Sequence, residues 1–250
     1  MRYSLILPLA CILFFALVSA SGRIAAPDAA LLKGAWKLTT DNGQPAENEQ
    51  VRIFSNGYSM FATYQLAAKN FIRAGGGPYE LKGGQLTFTI DYDSKDSTLV
   101  GRKAVFSAKI KGNTLELSSK TPSGKMTQMW TRLDDGNAPL AGDWRIRSRM
   151  GEDGAMYEIK PSPRKTIKIL SGTRFHWAAM NTETRQFSGT GGGTYTFENG
   201  KYTETIEFFS RDNSRVGATL SFDGSVSGDD WTHSGKSSRG QDIKEIWRRE

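Results

Sequence analysis

The stretch "TGGGTYTFENGKYTETIEFF", residues 190–209, decides how the chain is read. Its glycine triplet, Gly191 to Gly193, resembles a loop that cradles a phosphate. No Lys-Ser/Thr pair comes after the triplet and no helix opens there, so that reading fails. The residues beyond it form a strand pattern instead, with Tyr202, Glu204, Ile206 and Phe208 alternating with polar residues. The glycines then serve as points where a curled strand bends or bulges. One residue stands out: Glu204 puts a carboxylate on the apolar side of the strand.

The stretch has an earlier counterpart. "GGGPY" at 75–79 precedes "LTFTIDY" at 86–92, where Leu86, Phe88, Ile90 and Tyr92 alternate with polar residues. An offset of 116 carries Ile53 onto Ile169, Phe71 onto Phe187, Gly101 onto Gly217 and Phe106 onto Phe222. Upstream, "LKGAWKL" at 32–38 returns as "LAGDWRI" at 140–146, an offset of 108, and "MWTR" at 129–132 returns as "IWRR" at 246–249, an offset of 117. The chain therefore reads as two tandem units, 32–133 and 140–250, joined by a linker at 134–139. The extra residues of the second unit fall in "EDGAMYEIKPSPRK", which reads as a loop. "KIKGNTLEL" and "SVSGDDWTH" read as short strands around Gly-Asn or Gly-Asp turns, so each unit is expected to be an antiparallel meander. Only "APDAALLKG", in the segment 21–31 and just beyond it, looks helical, for about two turns.

The first twenty residues form a separate segment. "MRYSLILPLACILFFALVSA" has one basic residue, an apolar run and small residues at Val18-Ser19-Ala20, the pattern of a signal peptide cut after Ala20. The protein is therefore expected to be secreted or periplasmic. The only cysteine, Cys11, lies in that run, which leaves the mature chain without disulfide or thiol chemistry. The net charge is +7 and the basic residues are scattered, which argues against nucleic acid as a partner. No other stretch is apolar enough for stable membrane insertion.

A Gly-x-Trp on the first strand, a meander, and a Trp-x-Arg on the last strand resemble the lipocalin-like barrels. The run 191–209, with "KEIWRR" near the C-terminus, looks like the lipocalin-like domains of bacterial secreted proteins. The resemblance implies an all-β fold of two tandem antiparallel barrels, each with a cavity. It also implies that the first-strand tryptophan packs at the closed end beneath an arginine of the last strand. The matching residues are Gly34, Trp36 and Arg132, then Gly142, Trp144 and Arg249 or Arg248. The units are short for that family and lack its disulfides, so a small or flattened barrel with a narrow cavity is expected.

Comparing the units points to a site. Glu204 stands where the first unit has Phe88, His233 where it has Leu117, Trp231 where it has Leu115, and His176 where it has Met60. Glu245 shares a strand face with Trp247. A buried carboxylate needs a partner, and Arg249, Arg174, His233 and Tyr195 are the candidates. With an apolar wall of Phe175, Trp177, Ile206, Phe208 and Trp231, these residues form the expected ligand-binding set, to which His176 also belongs. Other roles for Glu204 stay open: an ion pair with Arg249, or an outward turn at a bulge. The histidines and glutamates would hold a divalent metal only if they converged, and no cofactor is implied. A Glu204–His233 acid–base pair is conceivable, but Ser-His-Asp and cysteine-nucleophile signatures are missing, so a non-catalytic role is expected. The expected partner is a small apolar or amphipathic molecule; the alternative is an envelope module with filled barrels that binds protein or glycan.

Overall fold

The computed structural model describes residues 28–122, 124–237 and 239–250. The expected signal peptide and residues 21–27 lie outside the described residues. Both units are closed eight-stranded antiparallel barrels, as expected. The first contains β1 (Gly34–Asp41), β2 (Gln44–Pro45), β3 (Glu49–Phe54), β4 (Tyr58–Gln65), β5 (Asn70–Lys82), β6 (Gln85–Thr89), β7 (Tyr92–Asp93), β8 (Lys103–Lys111), β9 (Thr114–Thr121) and β10 (Gly124–Asp134). The strands trace the chain as a meander, and β10 pairs with β1 to close the ring; the two-residue β2 and β7 are side pieces. The second contains β11 (Gly142–Met150), β12 (Met156–Glu158), β13 (Arg164–Leu170), β14 (Arg174–Asn181), β15 (Gln186–Glu198), β16 (Lys201–Phe209), β17 (Thr219–Ser227), β18 (Asp230–Lys236) and β19 (Asp242–Arg249). It closes through β11 and β19, with β12 outside the ring on β11. Closure leaves no unpaired main edge in either ring.

Two local expectations change. Of the "APDAALLKG" segment, the described residues, 28–34, contain a single 3-10 turn, Ala29–Leu32, capped by Asp28. The second unit's insertion is not all loop, because Met156–Glu158 pairs with Ser148–Met150.

The two barrel bases are built alike. Trp36 and Trp144 are fully buried, and their indole N–H groups donate to the carbonyls of Leu32 and Leu140 at 2.8 Å each. The Arg132 guanidinium lies 4.0 Å from the Trp36 ring centroid, and that of Arg249 lies 4.2 Å from Trp144. Each arginine also donates to backbone carbonyls of the segment before the first strand: Arg132 to Lys33 and Leu31, Arg249 to Ala141 and Pro139. The cation–π contact and these hydrogen bonds seal the base together. Arg248 plays no part in the seal; it points away and pairs with Asp230.

The glycine triplet is explained by backbone crowding. A Cβ on Gly193 would lie 2.0 Å from the Thr205 carbonyl oxygen, and one on Gly77 would lie 1.9 Å from that of Thr89. The β15–β16 register slips between Gly192 and Gly193, where Phe208 and Ile206 are the partners. This is the bulge that the sequence implied.

The barrels pack on each other through equivalent faces. The outer residues Val51 and Ile53 of β3 and Met60 and Ala62 of β4 share one core with Ile167, Ile169, Ala178 and Met180 of β13 and β14. Each isoleucine or methionine fully buried there contributes about 1.5–3 kcal/mol. Polar clamps flank this core. Tyr64 donates to Glu207 at 2.5 Å, Lys165 pairs with Asp91 at 2.7 Å, and Asp134 accepts from Ser171, Gly172 and Thr173. Burial raises the Asp134 carboxyl, but these donors outweigh it and hold that carboxyl below the usual range. The linker is thereby pinned to the β13–β14 turn. Among the described residues, no helix is long and apolar enough to cross a membrane.

Candidate functional site

The second barrel holds a cup of about 300 Å³, small for a ligand pocket. It lies toward the end opposite Trp144, because Arg149 and Ser237 line it and Trp144 does not. The β15–β16 bulge shapes its wall. Up to the bulge, Tyr202, Glu204 and Ile206 point inward. Past it the parity flips, so Phe209 lines the cup and Phe208 joins the core between the barrels. Phe175 and Trp177 of β14, Phe222 of β17 and Trp247 of β19 complete the aromatic wall.

A polar cluster sits within that wall. Glu204, 8% exposed, is 3.4 Å from the Lys168 ammonium and accepts from the Tyr202 hydroxyl at 2.8 Å. Lys168, 5% exposed, also lies 5.0–5.5 Å from the ring centroids of Phe175, Tyr202, Trp231 and Trp247. Its charge thus has one carboxylate and four aromatic faces around it. Opposite, Glu245 accepts from the Trp247 indole at 3.0 Å, and its oxygen is 3.1 Å from His233 Nε2. On its other side the imidazole has no such neighbour: His233 Nδ1 is buried without a hydrogen-bond partner. Burial raises the Glu245 carboxyl; the neighbouring His233, Lys168 and the Trp247 N–H outweigh it, and the carboxyl rests below its ordinary range. The cup therefore offers balanced charge, an apolar wall and an imidazole with unused hydrogen-bonding capacity.

The sequence-derived set is only partly assembled. Glu204, His233, Phe175, Trp177 and Ile206 line the cup. Trp231 lies beneath it, fully buried between Trp144, Tyr202 and His233. Tyr195 is engaged elsewhere: its hydroxyl donates to the Ser171 carbonyl at 2.7 Å. Arg249 belongs to the barrel base, not to the cup. His176 is on the outer face of β14, 2.8 Å from Thr190 Oγ1 and 3.2 Å from the Tyr92 hydroxyl of the other barrel. Burial there pushes its pKa down to about 3. Phe208 is outside too, turned out by the bulge, with its ring 5.2 Å from Tyr64. None of the four expected partners pairs with Glu204 through its charge or a hydrogen bond; Arg174 instead pairs with Glu207 at 2.5 Å.

The partner that Glu204 does have, Lys168, was missed in the sequence. The offset of 116 places it on Arg52, so a cation common to both units was visible in the repeat. Among the described residues, no group of three or more His, Cys, Asp or Glu side chains is arranged to hold a metal ion.

The first barrel has a larger cup, about 510 Å³, bounded by Phe61, Phe88, Phe106, Tyr92 and the glycines 75–77. Arg52 lines it, with its guanidinium 4.7 Å from the Phe88 ring centroid and 4.9 Å from that of Phe61.

No protein-family profile matches the sequence, and no curated protein matches it. Among solved structures, the chain is similar to a lipocalin-like protein from Bacteroides uniformis ATCC 8492. The two are 14% identical, the likeness covers 45% of this chain and 100% of that one, and the TM-score is 0.34. The barrel assignment rests on strand pairing and ring closure in each unit.

Proposed function

We propose that the protein is an exported, non-catalytic binding protein that holds a small, partly apolar molecule in the cup of the second barrel. The observation that carries this reading is the incompletely satisfied polar cluster inside an aromatic wall, with His233 Nδ1 buried and unpartnered in a cup of about 300 Å³. A barrel built only for stability gains nothing from an unfilled interior or a buried ring nitrogen left without a partner. A ligand with an apolar body and a hydrogen-bonding tip would satisfy both. The balanced charge of Lys168 and Glu204 favours a neutral or zwitterionic ligand. Export is supported by the pattern of residues 1–20.

Native mass spectrometry of the protein purified from its natural host tests the reading, with Ile206→Trp to fill the second cup and Phe88→Ala as a control in the first. The expected result is a non-covalent adduct on the wild type and on Phe88→Ala that Ile206→Trp loses. A bare mass for the wild type, or an adduct indifferent to Ile206→Trp, would contradict it.

A further inference from the structure

Among the differences between the two cups, one changes the partner of the interior cation. In the second barrel the interior cation, Lys168, is paired with Glu204. In the first barrel the equivalent cation is Arg52, and the residue equivalent to Glu204 is Phe88. The first barrel thus has a half-buried interior cation with a phenyl ring where the second barrel has a carboxylate.

The consequence is an uncompensated guanidinium. Among the described residues, no carboxylate lies within salt-bridge distance of Arg52. Its polar contact is one long hydrogen bond, from Nη1 to Ser59 Oγ at 3.3 Å. Its Nε is buried without a partner. Four aromatic rings, those of Phe54, Phe61, Phe88 and Trp130, lie 4.7–5.8 Å from its Cζ and offset part of the desolvation. They offer no lone pair to its N–H groups. Burial lowers its pKa to about 10, so it remains a cation at neutral pH. Charges partly withdrawn from water in this way are ordinarily paired.

The surroundings carry the same sign. The lining of this cup includes four cationic side chains, Arg52, Arg73, Arg102 and Lys103, and one carboxylate, Asp93. That carboxylate is already engaged by Arg73 at 2.7–3.1 Å. The second cup, by contrast, sets Arg149 and Lys168 against Glu204 and Glu245. A concave site with an excess of cations attracts anions and raises their local concentration.

We propose that the first barrel is a receptor for an amphipathic organic anion. A carboxylate or sulfonate head pairs with the Arg52 guanidinium, whose N–H groups match a planar or tetrahedral oxyanion. The apolar body lies along Phe88, Phe106 and Ile90. The cup is large enough for a two-ring aryl body or a medium-length chain. The inference rests on the reading of the barrels as ligand cups and adds a second, chemically distinct ligand to it.

Two fluorescent probes separate the possibilities: anilinonaphthalene sulfonate, an amphipathic anion, and N-phenylnaphthylamine, its uncharged parent. Both are titrated against the wild type, Arg52→Met and Phe88→Glu, each variant checked for a native circular dichroism spectrum. Arg52→Met removes the cation. Phe88→Glu keeps the cation and supplies the internal carboxylate that the second barrel already has. The expected result is a sulfonate site on the wild type that both variants weaken about 10- to 100-fold, with the uncharged probe changed by less than about threefold. Unchanged sulfonate binding in either variant, or equal loss of both probes, would overturn the anion assignment while leaving the cups in place. Failure of both probes on the wild type would overturn the assignment and, with it, count against the reading of the barrels as ligand cups.

Discussion

Separating Lys168 from Glu204 is the sharpest test of how the second cup is held. Lys168→Met leaves Glu204 beside the Tyr202 hydroxyl alone, in a site where its side chain is only 11% exposed. Removing one partner of a buried pair costs about 3–5 kcal/mol, and the opening of the cup to water puts this case near the lower end. Glu204→Leu strands the ammonium, but the four rings at 5.0–5.5 Å retain part of its stabilisation, so a loss of about 2–3 kcal/mol is expected. The double variant replaces both charges with apolar groups of similar size and is expected to cost less than either single change. Urea unfolding monitored by circular dichroism for all four proteins closes a double-mutant cycle. The expected coupling energy is at least about 2 kcal/mol. Additive losses, with coupling below about 0.5 kcal/mol, would refute the claim that the two charges form one buried unit.

Other parts of the structure make separate demands. Gly193→Ala is expected to destabilise the second barrel by about 1–3 kcal/mol or more, measured by thermal unfolding, since its Cβ would meet the Thr205 carbonyl oxygen at 2.0 Å. Arg249→Met opens the barrel base; a loss of about 2–3 kcal/mol is expected, with a red shift in tryptophan emission as Trp144 gains water. His176 has a depressed pKa, about 3 against an ordinary 6.5, so the unfolded chain takes up its proton first as pH falls. The wild type is therefore expected to lose about 2 kcal/mol between pH 7 and pH 5 that His176→Met does not lose. Asp143, raised to about 6 chiefly by burial, acts in the opposite direction between about pH 4 and 6. The difference between wild type and His176→Met cancels its contribution, and denaturant titrations at the two pH values read that difference.

Much of the fold was legible because the chain states it twice. The paired tryptophans and arginines marked both barrel bases, and the glycine triplets marked the bulges. The orientation of individual strands was harder to read, for a physical reason. Strands β3, β4, β13 and β14 have apolar residues on both faces, one toward a barrel interior and one toward the other barrel. Alternation then cannot say which face is inside. In "RKTIKIL" it is Lys168 that faces the barrel interior, while Ile167 and Ile169 form the barrel–barrel core. His176 was misplaced for the same reason, as the equivalent of Met60 on that core. Phe208 failed differently: the bulge was expected at the glycines, but a one-residue slip reverses every side chain beyond it. Glu204 lies before the slip and was correctly placed, though its partner was not.

Indole N–H resonances offer the most direct test of a ligand cup in the second barrel. The chain has six tryptophans, of which Trp177 and Trp247 line the cup while Trp36 and Trp144 seal the two bases. On titration with N-phenylnaphthylamine, the Trp177 and Trp247 signals are expected to shift together and saturably, while those of Trp36 and Trp144 stay in place. Saturable binding that leaves Trp177 and Trp247 unmoved, or no binding by this probe or by lipophilic extracts of the natural host, would contradict the account.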